Sequence, residues 1–477
     1  MDVALVNTNR TRPPIAPIGL DYVAEALNAA GHRVELLDLC WEDDVHAAIA
    51  RFFDRRSFGL VGVTLRNTDD CAFTSRQSFL GEFADTIGAI RECTDGMIGV
   101  GGVGFSVMPE QVLALCAADA GVWGEGEYAL VELANRIDGQ HDWHDLANLV
   151  WRRERGWRGK DFRRNPPGRG TLADLPPMTR RWVDNRRYFR EGGQAGFETK
   201  RGCAGPCVYC ADPVAKGRQT RTRPPAAVVD EIQSLLEQGI DHLHTCDSEF
   251  NMPEQHALAV CEAIIRRGLG TRLRWYAYCS PAPFSRDLAG AMCHAGCVGI
   301  NFGVDSGDEA MLQRLGRGFT PGDVLQATQW TKEAGMAVML DLLVGSPGET
   351  QASIARTVEL MRQAEPDRVG VAVGVRVYPG TQLAHQVRSG ALQGGLVGGE
   401  DASGAPDASQ PLFFLEPTIA PTVFDLLDTL IGDDRRFLFF DPARPDRNYN
   451  YNANQRLVEA IRAGYRGAYW DILRRYE

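Results

Sequence analysis

The segment RGCAGPCVYCADP, residues 201–213, places Cys203, Cys207 and Cys210 in C-x3-C-x2-C spacing directly after a predicted strand, Gly196–Thr199. Three thiolates this close on a loop can ligate three irons of a [4Fe–4S] cubane and leave the fourth iron without a protein ligand. Ferredoxin-type sites supply four cysteines, so a missing fourth implies that another group takes that iron. The competing metal is zinc, whose closed structural sites want four ligands. His242, His244 or Cys246 would have to complete such a site.

Downstream, strand and helix patterns alternate through residues 196–385. Further strands are predicted at His242–Cys246, Arg274–Tyr278, Gly299–Val304, Ala337–Val344 and Arg368–Val377, with helices such as Ala226–Gln238 and Glu254–Arg267 between them. Six βα units in a row predict a partial (β/α)6 barrel, whose site lies at the C-terminal strand ends. Upstream, residues 1–136 alternate in the same way, with strands at Val3–Val6, Val34–Leu37, Leu60–Leu65, Met97–Gly101 and Gly121–Trp123. Leu20–Ala30 reads as a helix ended by Gly31, and another starts at Pro109, a favoured first helical position. This pattern predicts a doubly wound parallel sheet that binds ligands beyond the carboxyl ends of its strands.

Residues 137–195 read as a linker carrying a hairpin, NLVWRRERGWRGKDFRRN, that turns near Arg155-Gly156. Its basic residues fit a solvated connector or a surface beside an anionic ligand. Residues 386–477 read as a Gly/Ala/Ser-rich loop and a mainly helical C-terminal region. Asn448–Asn452 and the final aromatic helix are expected to pack against the barrel or close it.

With 44% hydrophobic and 24% charged residues the composition is that of a globular α/β protein. A net charge of −11 weighs against general affinity for nucleic acid or anionic membranes. No apolar run approaches the ~20 residues that span a bilayer, and MDVALVNTNRTRPP is not a secretory signal, so a cytoplasmic location is expected. Twelve cysteines scattered along 477 residues do not resemble a disulfide framework. The last is Cys297, which leaves no ligands for an auxiliary cluster after the barrel. Cys293 and Cys297 lie one helical turn apart and read as core residues rather than a metal site.

With its cysteine triad, CDSEFN (246–251), GVDSG (303–307), LLVGSPGET (342–350) and VYPGT (377–381), the barrel resembles the radical S-adenosylmethionine (SAM) superfamily. That resemblance implies that SAM binds the open iron through its amino and carboxylate groups, and that Tyr209 packs beside the adenine. It assigns Asp247 and Glu249 to the SAM amine, although the family's paired glycines are absent there. Asp305 and Ser306 fall in the element that meets the SAM ribose or amine, and Gly345, Ser346 and Pro347 in the one that meets adenine. An external electron donor of flavodoxin or ferredoxin type follows as a partner.

GVGGVG (99–104) formally matches a dinucleotide fingerprint, but it follows the fourth strand rather than the first, which weakens an NAD reading. Residues 1–135 instead resemble the cobalamin-binding domain that precedes many radical SAM barrels, through PIGL (17–20), LRN (65–67), GGVGFS (101–106) and GEGE (124–127). The cobalamin contacts implied are Pro17, Gly19, Leu20, Thr64, Leu65, Arg66, Asn67, Gly102, Val103, Gly104, Phe105, Gly124, Glu125 and Gly126. No D-x-H-x-x-G motif is present to supply a histidine to cobalt. Two readings of Arg66 stand: it faces the lower side of cobalt, or it pairs with Asp69 or Asp70.

The combined resemblance implies methyl transfer to an unactivated carbon of a small molecule or peptide, through a 5′-deoxyadenosyl radical and methylcobalamin. A radical rearrangement, cyclisation or oxidation in the same scaffold and a tRNA-modifying activity are the alternatives. Tyr276, Tyr278 and Cys279, at the end of the third barrel strand, are the candidate cavity-lining or catalytic residues.

Overall fold

The N-terminal apolar runs become strands because a sheet covered on both faces buries every side chain they carry. In the computed structural model, which describes residues 1–153, 161–168, 170–401, 403–405 and 407–476, the first five strands are β1 (Asp2–Asn7), β2 (Arg33–Asp38), β3 (Leu60–Thr64), β4 (Met97–Gly101) and β5 (Ala120–Val122). They pair in parallel in the order β2-β1-β3-β4-β5. In this doubly wound order the topological switch lies between β1 and β3, and ligands bind at such a switch. The loops after these two strands contain Thr8–Arg10 and Leu65–Asn67.

β6 (Leu149–Arg152) and β7 (Phe162–Arg164) extend the same sheet antiparallel, so the predicted hairpin is part of the N-terminal sheet and not of a linker. Its turn near Arg155-Gly156 lies outside the described residues. A short helix, Val103–Val107, precedes the expected one at Pro109–Leu115. It can start inside the glycine run because Gly102 takes φ +99°.

The barrel sheet begins at β8 (Ala195–Phe197). A two-stranded ribbon of β9 (Lys200–Arg201) and β10 (Arg221–Thr222) flanks the cysteine loop. β11 (His242–Thr245), β12 (Arg274–Cys279), β13 (Cys297–Asp305), β14 (Ala337–Val344) and β15 (Arg368–Val373) then follow in parallel beside β8. The expected sixth strand breaks at Gly374, φ +77°. Beyond it β16 (Val375–Arg376) leaves the barrel and joins β17 (Leu396–Gly398) and β18 (Leu412–Phe414) in a small antiparallel sheet.

The C-terminal region carries the expected helices, among them Val423–Ile431, Gln455–Arg462 and Tyr469–Arg475, and adds a seventh parallel strand, β19 (Phe437–Phe439), beside β15. Leu457, Ile461, Trp470 and Ile472 of the last two helices form one apolar cluster with Tyr276 and Met339 and close that end of the barrel.

Buried ion pairs lock the two sheets together. Arg180, 1% exposed, donates from Nε to Asp21 (2.8 Å) on the first helix, Ile18–Ala29, and from Nη1 to Glu231 (2.8 Å) on a barrel helix. Tyr22 also donates to Glu231 (2.7 Å). On the ribbon beside the cysteine loop, Arg201 grips Glu127 with both terminal guanidinium nitrogens (2.6 and 2.9 Å), and Arg221 pairs with Glu125. Buried charges are tolerable only with such partners, so the network admits one orientation of the halves.

Candidate functional site

The switch-point loops and the barrel strand ends open onto one cavity of about 800 Å³, at the upper end of the range for small-molecule and cofactor sites. The cysteine loop forms one wall. Gly202 enters it at φ +84°, the Gly205 N–H points at the Cys203 sulfur (3.4 Å), and Arg317 donates to the Cys207 sulfur (3.1 Å). Burial pushes the Cys207 and Cys210 thiols up, and Arg317 pulls Cys207 back toward thiolate. Among the described residues no three Cys, His, Asp or Glu side chains converge on a single ion. A cubane does not require that, since each thiolate takes its own iron, and N–H and guanidinium donors to sulfur are the contacts that tune such clusters.

Around this loop the predicted SAM residues divide. Tyr209 donates to Asp305 (2.5 Å), and Arg317 reaches Asp305 (3.2 Å) and Glu249 (3.7 Å). Asp305 adopts φ +64° where the pairing of β13 with β14 shifts register, which turns its carboxylate toward the cysteine loop. Burial pushes Glu249 up to about 7, against the pull of Arg317 and Lys200.

Asp247 is occupied otherwise: it accepts from the backbone N–H groups of Thr199 (2.9 Å) and Lys200 (3.2 Å) and from the Thr199 hydroxyl. It therefore fastens the end of β8 to the strand beside it. Ser306 is fully buried against Thr357. The Gly345 and Ser346 N–H groups donate to Glu349, whose carboxyl burial pushes up to about 7. Among the described residues that line the cavity, Ser306, Gly345, Ser346 and Pro347 are absent.

Of the predicted cobalamin residues, Arg66, Asn67, Val103 and Gly104 line the cavity. Val103 is 47% exposed, and a Cβ at Gly104 would press on Asn67 and Leu65 (2.9–3.0 Å), so bare backbone faces the opening there. Pro17, Gly19 and Leu20 form the cap and first turn of a helix, with Leu20 in the core; their neighbours Pro14–Ala16 and Ile18 reach the cavity instead. Leu65 and Phe105 are core residues, and Glu125 is committed to Arg221. Thr64 ends β3, Gly102 caps the short helix, and Gly124 donates to Ser106 (2.8 Å) ahead of Gly126; none of the four lines the cavity.

Arg66 pairs with neither acid: Asp69 binds Arg376 (2.8 Å), and Asp70 accepts from Ser75 and from backbone N–H groups. Its guanidinium lies over the Tyr451 ring, 5.8 Å from the centroid.

On β12 only Tyr278 meets the cavity. Tyr276 donates to Asp471 (2.7 Å) under the C-terminal helices, and Cys279 lies in the barrel core. The segment Asn448–Asn452 and the final helix, expected to pack against or close the barrel, bring Tyr449, Tyr451 and Tyr469 to the cavity; sequence reasoning missed that His244, Cys246 and Asp341 line it with them. Burial lowers His244 to about 4, so it is a neutral imidazole. One signal was legible: Asp341 interrupts the otherwise apolar AVMLDLLV of β14.

Residues 197–361 match the model of the radical SAM superfamily, and residues 5–134 that of the B12 binding domain. The chain is 32% identical to a tryptophan 2-C-methyltransferase of Streptomyces laurentii, over 80% of its own length and 74% of that protein. An uncharacterized methyltransferase of Pyrococcus horikoshii is 26% identical over 77% of each chain. Among solved structures, the radical SAM methyltransferase TsrM from Kitasatospora setae superimposes with a TM-score of 0.89 at 31% identity, covering 100% of this chain and 97% of that one. It has been seen with tryptophan and a SAM analogue, and with cobalamin and a [4Fe–4S] cluster.

Proposed function

The chain belongs to the cobalamin-dependent radical SAM methyltransferases, and from that membership we propose that it methylates a carbon of a small aromatic amino acid, tryptophan or a close relative. SAM is the methyl source, with a [4Fe–4S] cluster and cobalamin as cofactors. The observation that carries this reading is the shared cavity. Loops of the N-terminal sheet, the cysteine loop, the barrel strand ends and an aromatic wall from the C-terminal region all meet in it.

When bound, cobalamin supplies a methyl carrier and the cluster a one-electron donor, itself fed by an external flavodoxin- or ferredoxin-type protein. Cys203, Cys207 and Cys210 hold the cluster. Tyr209, Asp305 and Glu249 are the polar groups near enough to that loop to orient SAM. Val103, Gly104 and Asn67 give a flat corrin its room. Arg66 lines the same cavity and, being a guanidinium, would offer cobalamin a cationic neighbour that cannot coordinate a metal. Tyr278, Tyr449, Tyr451 and Tyr469 offer aromatic faces to a planar ring and exclude water around it.

The test is anaerobic reconstitution with iron, sulfide and hydroxocobalamin, followed by incubation with methyl-labelled SAM and L-tryptophan. Near-stoichiometric cobalamin retention and label on a tryptophan carbon are expected. Release of 5′-deoxyadenosine in step with product would mark hydrogen-atom abstraction from a saturated carbon. A protein that carries its cluster and cleaves SAM, yet keeps no cobalamin and labels no amino acid, would overturn the proposal and favour rearrangement or oxidation chemistry.

A further inference from the structure

A carboxylate inside an aromatic-walled cavity is costly unless something positively charged comes to it. Asp341 is such a group. It projects from the middle of β14 into the cavity, and among the described residues no Arg, Lys or His is paired with it. The nearby Asp305 carboxylate adds repulsion. The phenols of Tyr278 and Tyr449 flank it, and the Asn301 amide lies close enough to favour its ionised form, although neither Asn301 polar atom makes a well-aligned hydrogen bond. Burial pushes the Asp341 carboxyl up to about 7, as expected of an acid with no counter-charge.

The neighbouring strand is shaped to leave this acid room. A Cβ at Gly370 would collide with the Asp341 carboxylate and crowd the Tyr449 ring (3.4 Å). Arg66 stands by the Tyr278 phenol and faces Tyr451 without pairing with Asp341, so the carboxylate is left for an incoming ammonium.

We infer that Asp341 is the specificity-determining anchor for the protonated amino group of the substrate, with the phenols of Tyr278 and Tyr449 beside that ammonium. An ammonium there would satisfy the carboxylate by a charge-assisted hydrogen bond and meet ring faces that favour cations. This rests on the amino-acid reading above and narrows it: the substrate enters as a free amine, not as an N-acylated residue within a peptide.

Equilibrium binding to the anaerobically loaded protein tests this apart from turnover. The probes are L-tryptophan, tryptamine and indole-3-propionate, which share the ring and differ in the amine. Asp341→Asn, nearly isosteric, should weaken tryptophan and tryptamine about 10- to 100-fold, the worth of one hydrogen bond to a charged group. It should leave indole-3-propionate unchanged or bound more tightly. Gly370→Ala, which crowds the carboxylate without removing it, should weaken the two amines in the same order. The cluster and cobalamin spectra report that each variant is folded and loaded. Equal weakening of all three probes, unchanged amine binding in Asp341→Asn, or a wild-type protein that binds none of them would overturn the assignment. Labelled methyl transfer, scored separately, decides whether the methyltransferase reading stands.

Discussion

Arg317 shows how much one side chain contributes here. It touches the Cys207 sulfur and lies within 3.2 Å of Asp305 and 3.7 Å of Glu249, so a single cation serves the cluster loop and both acids proposed to meet SAM. Hydrogen bonds to cluster sulfurs raise the reduction potential. Arg317→Met should therefore make the cluster harder to reduce, read by a spectroscopic redox titration; an unchanged potential would show that the contact does not tune it. Glu349 supports a prediction of opposite character. Its carboxyl sits at about 7 in the fold against an ordinary 4.5, so the folded state binds its proton more tightly than the unfolded chain does. Stability from this group is complete below about pH 4.5 and is lost as pH rises through about 7. Glu349→Gln should therefore gain stability relative to wild type as pH rises from about 5 to about 8. Glu249 and Asp341 titrate with the same sign and His242, His244 and His256, lowered by burial, with the opposite one, so the difference between variant and wild type carries the prediction. Urea midpoints at the two pH values check this, and an identical slope in the variant would refute it.

At the scale of elements, the strands of both parallel sheets were legible because each is a compact apolar run between helical patterns. What escaped has physical reasons. The sixth barrel strand reads as one run from Arg368 to Val377, but Gly374 turns the chain out of the sheet after Val373. β19 is only Phe437–Phe439, too short to carry a period. The cysteine loop was legible from local spacing alone, whereas the aromatic wall joins Tyr278 to Tyr449 and Tyr469 across the whole barrel, which no local pattern encodes. The same limit hid Arg180, an arginine in a Pro-rich connection that holds two helices from opposite halves. Arg180→Met should destabilise the protein by about 3–5 kcal/mol, because Asp21 loses its cation and Glu231 keeps only Arg223 and Tyr22. Denaturant unfolding measures this, and a loss below about 1 kcal/mol would mean that the helices dock by apolar packing alone.

For the whole molecule, the consequence of one shared cavity is that the N-terminal loops should govern methyl transfer without governing the cluster. Val103 separates the two. Its side chain is exposed on the cavity wall, at the start of a short helix. Gly102, next to it, would be a poor probe, because any Cβ there collides with Leu65 and Thr64 and would distort the loop itself. Val103→Trp instead fills the space proposed for the corrin with an indole while leaving the backbone as it is. The cysteine loop is held by Arg317, the Arg201–Glu127 pair and the ribbon of β9 and β10. The variant should therefore keep its iron content and thermal midpoint, lose at least about tenfold in retained cobalamin, and lose labelled methyl transfer in proportion. Full cobalamin retention would move the corrin away from the β4 loop. Loss of iron together with cobalamin would mean that the two cofactor sites fold as one unit. Retained methyl transfer without cobalamin would sever the activity from the N-terminal sheet altogether.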